Sequence, residues 1–476
     1  MSANNPSKLR AGAMSTLGVA ALGAVMMAPA LGIYANLGLI GAEAGRVAPA
    51  IFLLALLCTI PTAISYALIS KEIPSAGSAY TWLSDSLSPQ IGMWIGLLVA
   101  AMYFFAVVLQ PILFGLFFND LLASVFQVPT GYGTFLAGVL ISTAIVALLA
   151  YPGAQISANG SIVLMVCELS VVLALSGTVM YVLLGRRQID LTPFDPSRAL
   201  HGTHGLFAGL IFALLTFVGF SVITTAAEET HSPREIIPRV VILGCVLLGL
   251  FWAVTAWPLS LSLRDDVWAT QTAQGINPVA VIAHQYWGAG SIVVTLTALS
   301  AVLGVYLASV VGYARIVFAM GRDGTMPSWF AQLHPKYQVP WNAQHVVLAI
   351  TVVLDAVWAR WLGVYMAYDW WGTAVTFFAM IANIFVNVGC FAYFYRFRRQ
   401  SFHRGWHAAV PLLGIVTSVI PLYYSFGPDL WTAGWKKGQS VMLFCGVVTL
   451  GCMLYTAALH RWKPDVFDRP AVAVLK

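Results

Sequence analysis

From Met14 to Gly38 the chain runs without a charged residue, and eleven further apolar stretches follow. They are Val47 to Ser70, Gly92 to Phe118, Gly133 to Tyr151, Ser161 to Leu184, Leu206 to Ala227, Val240 to Leu263, Ser291 to Tyr313, Trp341 to Trp358, Gly372 to Phe394, Ala408 to Phe426 and Gln439 to Leu459. An α-helix needs about 17 to 25 apolar residues to cross a bilayer core. Inside that core every backbone N–H and C=O must find its partner within the protein, which leaves helices for runs of this length. Twelve runs therefore predict an all-α membrane protein of about twelve transmembrane helices. Composition agrees: 59% of the residues are hydrophobic and 9% charged, with a mean hydropathy of +0.83, whereas a soluble domain carries about 25% charged residues.

Lysine and arginine set the orientation. With the first span entering from the cytoplasm, 16 of the 24 Lys and Arg fall on the side that holds both termini and 8 on the other. Both termini are therefore expected in the cytoplasm of a cell-membrane protein, and the net charge of +6 reflects topology, not a nucleic-acid surface. Lys8 and Arg10 ahead of an apolar run, with Ala28-Pro29-Ala30 as a small-residue site, imitate a cleaved leader. The run continues past that site, so an uncleaved first span is expected. All six cysteines fall in apolar spans without a C-x-x-C pair and read as core residues. His403 and His407 have the i, i+4 spacing of a metal pair but no acid beside them. Neither a metal nor a cofactor is expected.

The first span carries a helix breaker at its centre. Gly23 to Tyr34 reads GAVMMAPALGIY, and a proline inside a helix costs about 3 kcal/mol where no water replaces the lost bond. Five spans precede the polar segment 185–205 and five more follow it. An odd number of crossings makes the second set enter from the opposite side, which is the signature of an inverted repeat. The first span of the second set holds Phe217-Val218-Gly219-Phe220-Ser221, a glycine among aromatic residues at matching depth. Either break alone reads as a kink or a packing notch. Two at corresponding places point to a central site whose ligand satisfies the freed backbone groups. The organisation expected is an N-terminal cytoplasmic tail (1–13), a first five-helix repeat (14–184), an external loop (185–205), a second repeat (206–394), two peripheral helices (395–459) and a cytoplasmic tail (460–476).

Three stretches carry a resemblance. PSAGSAYTWL (Pro74 to Leu83) follows the second span, AAEETHSPREIIPR (Ala226 to Arg239) the sixth, and ARIVFAMGRDGTMPSWFAQLHPKYQVPWNA (Ala314 to Ala343) the eighth. In this order, over essentially the whole chain, they resemble the amino acid, polyamine and organocation (APC) permeases. The resemblance implies a LeuT-like 5+5 inverted repeat with two peripheral helices, helices 1 and 6 broken, and alternating access around a small-molecule substrate held between the breaks. It assigns Met27, Ala28, Pro29, Ala30, Phe217, Val218, Gly219 and Phe220 to the substrate. Phe217 or Phe220 is a candidate gate, with simple packing as the other reading. Relatives often carry G-x-G where this chain has Met27-Ala28-Pro29-Ala30, a variant similar to the branch of putrescine importers. Many also have an acid where this chain has Ser221.

Glu228, Glu229, Arg234 and Arg239, in the loop after the sixth span, read as ion pairs or caps of a cytoplasmic closure remote from substrate, together with Arg315, Arg322 and Asp323. Glu168 and Asp355 are the two acids inside the spans as drawn. Asp355, near the end of its run, is expected to reach water. Glu168 lies seven residues into the fifth span, about 10 Å along the helix, where a charge costs a few kcal/mol. It is the candidate for linking a proton to the inward–outward switch; a neutral Glu168 that hydrogen-bonds a neighbouring helix is the other reading. A span set this poor in acids suits an amino acid, which partly neutralises itself, better than a polyamine, which calls for acids or aromatic faces. The expected function is a permease for a small amino acid with proton-coupled uptake. A putrescine-like amine importer or an exchanger is the alternative, and a transport-like sensor a third class. No H-E-x-x-H, G-x-S-x-G, phosphate-loop or paired-carboxylate pattern marks an enzyme.

Overall fold

The computed structural model describes residues 16–75, 77–150, 158–227, 230–337, 339–430 and 437–467. Eleven helical segments among them are long and apolar enough to cross a membrane. The first, Gly18–Glu72, has 55 residues, about 80 Å if it were straight. It doubles back at Gly45, whose φ of 71° lies in the left-handed region that glycine enters without strain. That segment is two spans, so the bundle has twelve. They are α1 (in two halves, Thr16–Met27 and Leu37–Ala44), α2 (Ala48–Glu72), α3 (Pro89–Val125), α4 (Tyr132–Ala150), α5 (Ala158–Gly185), α6 (Gly202–Phe217 and Phe220–Thr225), α7 (Pro233–Ser262), α8 (Ile292–Arg322), α9 (Trp341–Leu362), α10 (Val364–Phe397), α11 (Val410–Leu430) and α12 (Lys437–Trp462).

Helices α1–α5 and α6–α10 are the two repeats, and counterparts pack on each other: α2 on α7, α3 on α8 and α4 on α9. The breaks of α1 and α6 also meet, backbone to backbone. Helices α11 and α12 lie at the side, α11 against α2 and α10, α12 against α3 and α10. The largest apolar cluster of the interior holds the fully buried Trp82, Trp252, Trp268 and Trp371, with smaller clusters beside it, while leucines and aromatics such as Leu148, Tyr181 and Trp361 face outward. That arrangement is what lipid on the outside requires.

Several helices outrun their apolar stretches. Helix α3 continues to Val125 and α10 begins at Val364, which brings Asp120 and Asp369 inside helices. To Glu168 and Asp355, the acids expected inside spans, the longer helices add Asp120 and the buried Asp369. Asp355 is a second correction. Helix α9 extends to Leu362, and the Asp355 side chain, expected to reach water, is fully buried with no hydrogen-bond partner for either carboxylate oxygen among the described residues.

Candidate substrate site

Helix α1 stops at Met27 because Ala28 takes a left-handed conformation, φ 44° and ψ 67°, which costs an L-residue about 1–2 kcal/mol. Pro29 has no N–H, and Leu31 and Gly32 donate back to the Ala28 carbonyl at 2.9 and 3.2 Å. No helical turn spans Ala28, so the carbonyls of Met26 and Met27 lack the donors that a continuous helix would supply. A wide π-turn over Gly32–Asn36 then leads into the second half. The other freed carbonyls are answered from the second repeat. The buried Trp252 of α7 donates its indole N–H to Pro29 O at 2.8 Å. Gly32 makes room for that ring, since a Cβ there would stand 2.8 Å from Trp252 Cε2. Asn277 donates to Tyr34 O at 2.8 Å and Thr272 to Gly38 O at 3.3 Å, both from the segment between α7 and α8. Pro29 O is thus taken by Trp252.

Helix α6 is interrupted far less. Val218 and Gly219 keep right-handed angles and form a tight turn, with Val218 N donating to Leu215 O and Val222 N to Gly219 O, both at 3.2 Å. Hydroxyls of the same helix take the loosened carbonyls: Ser221 donates to Val218 O, Thr224 to Ser221 O and Thr225 to Val222 O at 3.2, 2.6 and 2.7 Å. Gly219 is where the two breaks touch. A Cβ there would lie 2.5 Å from the Met26 carbonyl carbon and 2.7 Å from Met27 N, so the close approach that this glycine permits is to the α1 backbone.

Between the breaks lies a cavity of about 80 Å³, room for on the order of six water-sized groups. Of the eight residues assigned from sequence, Met27, Ala28, Val218 and Gly219 line it, and Pro29, Ala30, Phe217 and Phe220 do not. The phenyl rings are turned away by packing: Phe217 sets its edge against Trp252 at 5.0 Å and Phe220 against Tyr66 of α2 at 5.1 Å. The polar lining comes from residues that the sequence reading passed over: Gln110 and Tyr103 of α3, Thr216 of α6, Ser309 of α8, and Asn36, whose Oδ1 accepts from Tyr368 of α10 at 2.6 Å. Gln110 Oε1 and Ser309 Oγ are buried there without a hydrogen-bond partner among the described residues. Such orphans are rare in folded proteins and each calls for an explanation.

Glu168 is buried on α5, which packs against Thr16–Met27 and the Pro29–Leu31 turn of α1 and against α8, and its carboxyl lies within electrostatic reach of Tyr34. It does not line the cavity. Glu228 and Glu229 fall outside the described residues. Arg234 and Arg239 are exposed on the first turns of α7 and form no ion pair among the described residues, Arg315 is exposed on α8, and Arg322 reaches its neighbour Asp323 at 3.6 Å. The contacts that tie this end of the bundle together are different ones. Ser78 and Thr224 share a buried hydroxyl hydrogen bond of 2.7 Å, Arg398 pairs with Glu72 at 2.8 Å, and Arg396 donates to Ser86 O at 3.0 Å. His407 stacks on Phe394 with ring centroids 3.9 Å apart and accepts from the His403 backbone N–H. No group of three or more metal-binding side chains occurs among the described residues.

A twelve-helix bundle built on a five-plus-five inverted repeat, with the first helix of each repeat broken beside a small central cavity, has the architecture of a secondary transporter. The family model described as amino acid permease matches residues 17–427, and the chain belongs to that family. Among its relatives, the low-affinity putrescine importer PlaP of Escherichia coli K12 is 26% identical over 394 residues, covering 79% of this chain and 80% of the relative. The branched-chain amino acid permease BcaP of Lactococcus lactis is 26% identical over 440 residues, 87% of each. The crystal structure of a mutant manganese transporter from Eremococcus coleocola superposes with a TM-score of 0.59 at 12% identity, covering 98% of this chain and 99% of that one. At that identity the likeness concerns the fold.

Proposed function

We propose that the chain takes up a small amino acid through the cavity between the α1 and α6 breaks. The observation that carries this reading is the chemistry of the lining: among the described residues it offers no Asp, Glu, Lys, Arg or His, yet it holds the unpaired Gln110 Oε1 and Ser309 Oγ. A dication in such a place would keep two uncompensated charges. A zwitterion brings its own compensation. Its ammonium finds acceptors in the Met26 and Met27 carbonyls and Gln110 Oε1, and its carboxylate finds donors in the hydroxyls of Ser309 and Tyr103. The substrate-contacting set is then Met27, Ala28, Val218 and Gly219 from the sequence assignment, together with Met26, Tyr103, Gln110 and Ser309.

One observation favours an amine. Asp120 and Asp369 both stand within electrostatic reach of Tyr365, one turn along α10 from the cavity-lining Tyr368, and PlaP is named as a putrescine importer. Uptake of radiolabelled alanine, leucine and putrescine into proteoliposomes separates the two. Accumulation of putrescine alone would refute the amino-acid reading, and substrate exchange without net uptake would make the protein an exchanger.

Proton coupling through Glu168 is part of the proposal, supported by its burial against α1. Glu168→Gln is expected to lose accumulation driven by an imposed pH gradient; unchanged accumulation would remove Glu168 from that role. Both termini are placed in the cytoplasm by the lysine and arginine bias. A cysteine substituted at Ala473 should therefore resist an impermeant thiol reagent in intact cells, and labelling there would reverse the orientation.

A further inference from the structure

Helix α9 carries Thr351, Asp355 and Trp358 at i, i+4 and i+7, on one helical face. Asp355 and Thr351 are fully buried, and neither Asp355 oxygen, the Thr351 hydroxyl nor the Trp358 indole N–H has a hydrogen-bond partner among the described residues. From α8, Tyr306, also fully buried, stands within electrostatic reach of the carboxyl. The Tyr306 hydroxyl lies 3.2 Å from Thr143 Oγ1 of α4. A second tyrosine, Tyr132 of α4, reaches the same stretch of α9, where its hydroxyl donates to Ala356 O at 2.8 Å. Helices α3, α4 and α10 also pack against α9, and among the described residues they bring Asp355 no ion pair; Arg360, on α9 itself, is exposed. A bare carboxylate cannot persist there, because a buried charge survives only when paired and hydrogen-bonded. It needs a proton or a cation.

We propose that Asp355 is a second proton-binding site of the transporter, separate from the substrate cavity and linked to it through α8. Donor supply favours the proton: beside the two oxygens of Asp355 stand the hydroxyls of Thr351 on the same face of α9 and of Tyr306, itself bonded to Thr143, whereas a hard cation takes about six or more oxygen ligands. The neutral acid also gains an O–H donor that a tyrosine hydroxyl can accept. The link to transport is the register of α8, where Val305 and Ser309, at i−1 and i+3 from Tyr306, line the substrate cavity. One helix therefore bears the carboxyl's neighbour and the substrate's neighbours within a single turn. With the proton on, α8 and α9 stay packed. With it off, the charge favours any state that admits water to Asp355. Proton and substrate then bias the same two-state element, which is what coupling requires.

This inference rests on the permease reading, and the test separates the two. Infrared difference spectra of purified protein, wild type minus Asp355→Asn, should contain a protonated-carboxyl C=O band, whatever substrate is carried. Its absence would overturn the proposal. In proteoliposomes with leucine and putrescine as probes, Asp355→Asn should lower pH-gradient-driven accumulation by about tenfold, within the usual range for coupled sites, and leave exchange at symmetric pH within about twofold of wild type. Asp355→Glu, which keeps a titrating carboxyl, should recover accumulation with a displaced pH profile. Unchanged gradient-driven accumulation in Asp355→Asn, an Asp355→Glu profile that overlays wild type, or sodium-driven uptake abolished by the substitution would each count against a proton at Asp355. A wild type that carries neither probe counts against the substrate reading, while the infrared band still decides on the proton.

Discussion

The breaks in α1 and α6 occupy equivalent places in the two repeats and are held in opposite ways. In α1 the chain changes hand at Ala28, and the carbonyls of Pro29, Tyr34 and Gly38 are taken by Trp252, Asn277 and Thr272, all from the second repeat. In α6 the chain stays right-handed, and its own Ser221, Thr224 and Thr225 take the loosened carbonyls. A segment whose polar groups are answered by other helices cannot move without them. Helix α1 is therefore tied at its break to α7 and to the segment before α8, whereas the carbonyls at the α6 break are answered within α6, whose ties to the bundle lie on either side of the break, at Ile211 and at Thr224. The difference teaches which break is held open by other helices and which is held by its own side chains.

Substitutions can break or sharpen that contrast. The largest effect is expected at the contact between the breaks. Gly219→Val puts side-chain carbon into the Met26 and Met27 backbone, which cannot yield as a flexible side chain would, so uptake should fall to background while the protein still inserts; wild-type uptake would show that the breaks do not need this contact. Next comes Trp252→Phe, which leaves Pro29 O buried without its donor at a cost of about 1–3 kcal/mol. Its melting temperature in detergent should drop and its uptake fall roughly tenfold. Ser221→Ala removes a bond made within α6 and should cost about 0.5–1.5 kcal/mol, with uptake close to wild type. Equal damage from Ser221→Ala and Trp252→Phe would contradict the division drawn between the helices. The smallest effect is expected for Ala28→Gly, which relieves left-handed strain worth about 1 kcal/mol and should keep transport with an unchanged or slightly higher melting temperature. A large loss of stability there would mean that Ala28 is not strained.

The fold could be read from the chain because span length and Pro29 are one-dimensional signals. So could the existence of two breaks at matching depth. The direction of side chains could not. Gly219 marks a close approach, but nothing in Phe217-Val218-Gly219-Phe220 says that the rings face Trp252 and Tyr66 and not the ligand. Gln110 is one amide in an apolar run and Ser309 one of several hydroxyls in another, and helical spacing does not say which face of α3 or α8 meets the cavity. Trp252 is 223 positions from its acceptor Pro29, a pairing that only tertiary packing creates. Hydropathy ends a span where charge begins, which leaves Asp120 and Asp369 outside the spans and Asp355 at a water-facing end. A bundle can bury an acid that a linear hydropathy rule sends to solvent.

The central claim is that a small zwitterion sits between the breaks and is read by Gln110 and Ser309. Equilibrium binding of radiolabelled alanine, leucine and putrescine to purified protein tests it most directly, with wild type beside Gln110→Leu and Ser309→Ala. The account predicts that an amino acid binds the wild type and that putrescine does not compete with it. Each substitution should raise the amino acid's Kd by about 5- to 100-fold, the equivalent of one lost hydrogen bond to a charged group or one buried orphan. Amino-acid affinity unchanged in both variants, or tight putrescine binding to a wild type that ignores the amino acids, would contradict it.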